Sequence, residues 1–191
     1  MTSADTDTRI QPEPLSIRFA NTRYATRGQL FDGIDTSESL RNWLVQNDLP
    51  DKPASDADIE AFVSLRDTIR DLIAQILHGP AGSAAQVALL NRLAAAAPRW
   101  PQLVADVTGW RVVEESRGTG LDHALAVIAQ DAVLLLGGPL RADLRSCQAP
   151  GCVQFFVRNH PRREWCSTAC GNRARAARHY LRHRNDERCL P

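Results

Sequence analysis

The chain has 191 residues and a normal apolar share, with 23 basic against 22 acidic residues and a formal net charge of +1, which suits one ordinary domain plus a small second one. No uninterrupted apolar run reaches the roughly 20 residues that span a bilayer. The opening MTSADTDTRIQPEP lacks the basic and apolar regions of a signal peptide, so no membrane association and a cytoplasmic location are expected.

Residues 1–14 read as a disordered polar tail. Leu15 to Thr22 reads as a short helix carrying Leu15, Ile17 and Phe19, followed by a loop containing Gly28 and Gly33. Thr36 or Ser37 can cap a helix to about Asn47, with Leu40, Trp43 and Leu44 on one face, ended by Leu49-Pro50-Asp51. Ser55 opens the clearest helix, to about His78, because Ile59, Phe62, Leu65, Ile69, Leu72, Ile73 and Ile76 recur at three- and four-residue spacing. Gly79-Pro80 stops it. Ser83 starts another helix with Val87, Leu90, Leu93 and Ala94, ending near Pro98. Leu103 to Glu115 is rich in β-formers around Thr108-Gly109 and reads as a hairpin. Leu121 to Leu136 is apolar nearly all round and is expected to be the central helix. Gly137-Gly138-Pro139 ends it and divides a helical body, residues 15–140, from a C-terminal segment, residues 141–191. The predicted class is mainly α (α+β): a helical N-terminal domain with one β-hairpin, then a zinc finger.

The near-zero net charge hides an asymmetry. Residues 141–191 hold 11 arginines against 4 acidic residues, a surplus of +7, whereas the rest of the chain carries −6. A basic C-terminal segment beside an acidic body is a nucleic-acid signature; docking of one onto the other is the alternative.

All five cysteines fall in the last 45 residues, and in a reducing compartment such clusters read as metal ligands rather than disulfides. Cys147 and Cys152 enclose a Gln-Ala-Pro-Gly turn in which Gly151 can take positive φ. Val153 to Val157 reads as a strand, and Asn159 to Arg162 as a turn back to Trp165. Ser167 is placed to cap the last helix, putting Cys170 in its first turn and Cys166 just ahead, where the helix N-terminus favours thiolates. A cysteine turn, a hairpin and a cysteine pair at a helix start describe a treble clef holding one structural Zn2+ on Cys147, Cys152, Cys166 and Cys170. Such a site can contribute about 10–16 kcal/mol of apparent folding energy, and chelation is expected to unfold the segment after Leu140 while sparing the body. His160 lies in the spacer and reads as a turn residue. Cys189 is the odd cysteine and reads as a free thiol.

The run Cys170-Gly171-Asn172-Arg173, with Cys147 and Cys152 upstream, resembles the signature of the CGNR zinc-finger family. The body resembles that family's partner domain, ABATE, through Phe19-Ala20-Asn21-Thr22, the Leu40 to Leu44 stretch with Trp43, and Leu65-Arg66. This resemblance implies a stress-induced transcription regulator with a DNA-binding finger.

On the last helix, Arg173, Ala174, Ala177 and Leu181 share the side of Cys170 at 3.6 residues per turn. Arg173 could therefore bond the knuckle's carbonyls or reach nucleic acid, and Asn172 could pair with a base or fix the turn. Arg175, Arg178 and Arg182 form a ridge away from the metal, with no carboxylate before Asp186, suited to phosphate or base-edge contact with DNA. Arg158, Arg162 and Arg163 could extend the patch. A solvated face is the alternative for the ridge. Asn21, Arg66 and Arg70 could grip a small anionic effector or pair internally, and a homodimer is left open. No catalytic motif is present, so the chain does not read as an enzyme. A zinc-finger adaptor for protein or RNA is the main rival, and a metal-dependent nuclease a remote one.

Overall fold

The structure, a computed structural model, describes residues 13–79 and 83–188. The predicted tail over residues 1–12, the Pro80 stop and Cys189 lie outside the described residues. Glu13 and Pro14, assigned to the tail, belong to the fold: the Pro14 carbonyl accepts from the Ile17 and Arg18 amides and begins α1, Leu15–Ala20.

Helix α2 spans Ser37–Gln46, and its N-cap Thr36 exchanges hydrogen bonds with Ser39. Helix α3 spans Asp56–His78. Its N-cap Ser55 accepts from the Asp58 amide and donates its own amide to the Asp58 carboxylate at 2.8 Å, so two orphan donors are satisfied reciprocally. Phe62, Leu65, Ile69, Leu72 and Ile73 form its buried stripe, as the periodicity predicts. Helix α4 covers Ala84–Ala96 and α5 covers Gly120–Gly137.

The central helix is α5, which packs against α1, α3 and α4. By length and composition it could cross a bilayer, yet Ala124, Leu125, Ile128, Ala129, Ala132 and Leu135 are buried in the protein core. Its two polar interruptions tie it to its neighbours. Gln130 donates to the carbonyls of Ala94 and Ala97 at the end of α4, and Asp131 accepts the Ser16 amide at the start of α1. Each satisfies backbone groups that a helix terminus leaves without a partner.

Three two-stranded antiparallel sheets occur among the described residues. One is the expected hairpin, β3 (Arg99–Asp106) with β4 (Gly109–Ser116). Asp106 pairs with Gly109, so the connecting loop is Val107-Thr108, one residue earlier than Thr108-Gly109. The other two correct the sequence reading. The loop expected around Gly28 and Gly33 is itself a hairpin, β1 (Arg23–Thr26) with β2 (Gln29–Asp32). Its two-residue turn has φ of 52° at Arg27 and 81° at Gly28, the left-handed pair that matches strand twist. The body thus has two hairpins, not one. After a 3-10 turn over Pro139–Asp143, strand β5 (Leu144–Ser146) pairs with β6 (Phe155–Val157). The strand leading to Val157 therefore pairs backward across the first cysteine pair, not forward toward Trp165.

Leu144, Phe155 and Val157 lie in the same core cluster as the body helices. The finger's hairpin is thus part of the body's core, although its metal-bearing half has a separate cluster of Cys147, Ala149, Phe156 and Cys170.

Candidate metal centre

Cys147 and Cys152 are held at the loop of the β5–β6 hairpin. The Cys147 amide donates to the Gln154 carbonyl, and the Cys152 amide to the Ala149 carbonyl, both at 2.9 Å. Between them Pro150 supplies a fixed φ and Gly151 a φ of 70°, the residue pattern of a type II turn. No neighbour would meet a Cβ at Gly151, so backbone conformation, not space, demands glycine there.

Helix α6, Thr168–Arg188, carries the second pair. The Ser167 carbonyl accepts from Gly171, and its hydroxyl accepts the Cys170 amide at 3.2 Å, which is the expected N-cap. Cys166 sits just before the cap and Cys170 in the first turn, where the helix dipole favours negative sulfur.

All four sulfurs lie within 4.8 Å of one another. The Cys152–Cys166, Cys166–Cys170 and Cys170–Cys152 separations are 3.8, 3.4 and 3.7 Å. Zn–S bonds of about 2.3 Å in a tetrahedron place sulfurs about 3.8 Å apart, so the donor set fits zinc. Burial pushes the Cys152 and Cys166 thiols above their ordinary range, and neighbouring sulfurs push further. Burial acts the same way on Cys170, but hydrogen bonds with Ser167 and the other thiols hold it below that range. Four sulfurs this close need a cation before all can ionise. His160 stays outside the cluster as a turn residue, its Nδ1 accepting the Arg162 amide.

Each residue of the Cys170–Arg173 run has a distinct task. A Cβ on Gly171 would stand 3.0 Å from Trp165 Cδ1, so glycine lets the indole seat against the helix. A mid-helix glycine costs roughly 0.5–1 kcal/mol relative to alanine, which is the sequence signal that something must pack there. Asn172 accepts a hydrogen bond from Arg175. Arg173 donates to Cys170 Sγ at 3.2 Å, a sulfur rather than the backbone carbonyls considered from sequence. That guanidinium offsets the net negative charge of a four-thiolate zinc site and orients a ligand.

Arg163, a candidate for the basic patch by sequence, organises the loop between the two halves. It donates to the carbonyls of Val157 and Cys166 at 3.0 Å, stacks 4.8 Å over the Phe156 ring and pairs with Glu13 at 2.6 Å. Arg158 lies 3.5 Å from Asp143, and Arg162 is exposed.

Asn21, Arg66 and Arg70 are all engaged within the chain. Asn21 bonds both backbone groups of Phe155. Arg70 donates to the carbonyls of Ala20 at 2.7 Å and Val153 at 2.9 Å and covers the Phe155 ring. Burial lowers the Arg70 pKa, with nearby Arg23 and Arg66 adding to the effect. Arg66 is fully buried and pairs with Asp32 and Asp67. Burial opposes its charge, but those two carboxylates raise its pKa above the usual value. The structure does not gather the three into an open anion site. Asn21 and Arg70 instead fasten the finger to the body.

Arg175, Arg178 and Arg182 are exposed on α6 and, with Ala176 and His179, line one shallow groove. Among the described residues Arg178 and Arg182 have no ion-pair partner.

The fold and site define a zinc-finger protein in which a four-cysteine metal centre is built onto a helical body. The chain belongs to the ABATE family, described as "Putative stress-induced transcription regulator", which matches residues 13–139. Residues 144–183 match the CGNR zinc finger. No curated protein matches the chain significantly.

Proposed function

We propose that the chain is a cytoplasmic, DNA-binding transcription regulator whose α6 arginine ridge contacts duplex phosphates and base edges. The observation that carries this reading is the exposed Arg175–Arg178–Arg182 row on a helix fixed at its N-terminus to the metal centre. A ridge so anchored loses little conformational freedom on binding, and arginine suits bidentate phosphate and guanine contacts. Arg178 and Arg182 are the principal contacts. Arg175 is held ready by Asn172, and Arg173 acts mainly on the Cys170 sulfur. A homodimer would present two such helices to two half-sites.

A nuclease is disfavoured because four thiols close the tetrahedral site, leaving no position for a substrate. The test is fluorescence anisotropy of the zinc-loaded chain on duplex DNA across a salt series. Replacing Arg175, Arg178 and Arg182 with alanine is expected to make the slope of log affinity against log salt shallower by about 3. A variant with full zinc content and unchanged affinity defeats the proposal. Preferential competition by RNA points to the adaptor instead.

A further inference from the structure

The β3–β4 hairpin projects from the body as an arm. Its root is tied to α5: Arg99 donates to Gln130 at 2.6 Å and pairs with Glu114 across the hairpin at 2.7 Å. Beyond the root it packs chiefly on itself. Cross-strand partners share a face, so the register Leu103↔Val112, Ala105↔Trp110 and Pro101↔Glu114 defines one side of the ribbon. That side carries Pro101, Leu103, Ala105, Trp110 and Val112, with Val107 at the tip. All are exposed, Trp110 at 77% and Leu103 at 60%. No charge interrupts the row between Glu114 at the root and the tip.

A lone two-stranded hairpin is marginal in water unless something covers an apolar face, and a contiguous exposed apolar patch marks an interaction site. We infer that this face is a dimerisation surface whose occupant is the same face of a second copy of the chain. Charge argues for this partner. The arm, residues 99–116, holds Arg99 and Arg111 against Asp106, Glu114 and Glu115, and Arg111 is paired with Asp106. It therefore has nothing to offer phosphates or an anionic lipid surface. A row without charge meets its own two-fold image with no like-charge repulsion, so Trp110 of one copy can lie over Leu103 and Val112 of the other.

Area supports the same partner. A tryptophan offers about 150–250 Å², and the whole face presents on the order of 600 Å² per copy. Two copies would then bury about 1,200 Å², the lower end of specific interfaces. The dimer is accordingly weak and concentration-dependent. Pro101 on β3 blocks ladder extension along that edge, which favours face-to-face packing over strand addition.

The experiment is sedimentation velocity of the full zinc-loaded chain from about 1 to about 100 μM, the micromolar regime of dissociation constants. The native chain is expected to shift from monomer to dimer mass across this range. Leu103→Thr/Trp110→Thr keeps β-forming residues at exposed positions and is expected to stay monomeric with native zinc content and circular dichroism. Val104→Thr, on the opposite side of the ribbon, is expected to dimerise like the native chain. A native chain that stays monomeric, or a double variant that dimerises as the native chain does, overturns the inference. The readout is mass, so its failure is distinguishable from failure of DNA binding.

Discussion

Asn21 and Phe155, 134 positions apart, bond each other twice: the Asn21 amide donates to the Phe155 carbonyl at 2.8 Å, and the Phe155 amide donates to Asn21 Oδ1 at 2.9 Å. A side chain in the body thus completes the ladder of a strand in the finger. Asn21→Ala leaves both Phe155 groups without partners in a half-buried site, and is expected to cost about 1–3 kcal/mol in denaturant unfolding. A cost indistinguishable from zero would mean that water replaces the amide.

Removing the metal should not cut the molecule at residue 140. Leu144, Phe155 and Val157 remain in the body's core cluster, whereas Cys166, Cys170 and α6 depend on the metal for their placement. Under strong chelation, hydrogen exchange is expected to quicken over residues 158–188 and at the 147–152 turn while α3 and α5 stay protected. The body's melting temperature should fall, because Arg70 loses the fixed Val153 carbonyl. Uniform protection of α6 without metal would contradict this.

Arg173→Ala removes the donor to Cys170 Sγ. Loss of an outer partner of this kind weakens metal affinity by about 10- to 100-fold, measurable by chelator competition. Arg173→Lys should recover part of the loss. At saturating zinc the alanine variant is expected to retain most DNA affinity, unlike Arg178→Ala or Arg182→Ala.

Burial acts to raise the Asp32 pKa, but hydrogen bonds from Arg66 and the Ile34 amide and the charges of Arg66 and Arg23 hold it below its usual value. A carboxylate with a depressed folded pKa adds stability that is complete above its unfolded value, about 3.9, and is lost as pH falls through the folded value. Asp32→Asn is expected to destabilise at neutral pH by roughly 1–3 kcal/mol and to flatten the acid limb of the pH–stability curve. An unchanged acid limb would place the acid sensitivity elsewhere.

Local rules found what local chemistry determines. Thr36, Ser55 and Ser167 cap the helices that their hydroxyls announce, and the cysteine spacing led to the metal site. The β1–β2 hairpin was hidden because its strands are only four residues long and its turn uses Arg27 where asparagine or aspartate would have signalled it. Strand β5 has three residues and exists only through pairing with β6. Asn21 and Arg70 read from sequence as ligand-binding candidates and Glu13 as part of the tail because each meets its partner across a gap that no window of sequence spans: 134 positions for Asn21, 83 for Arg70 and 144 for Glu13.

The Glu13 carboxylate accepts the Val157 amide and pairs with Arg163, tying the start of the described chain to the finger. Native surroundings for the first helix are complete only once the cysteine-bearing segment has been synthesised. During translation, then, the early helices emerge with part of their apolar surface uncovered until that segment follows.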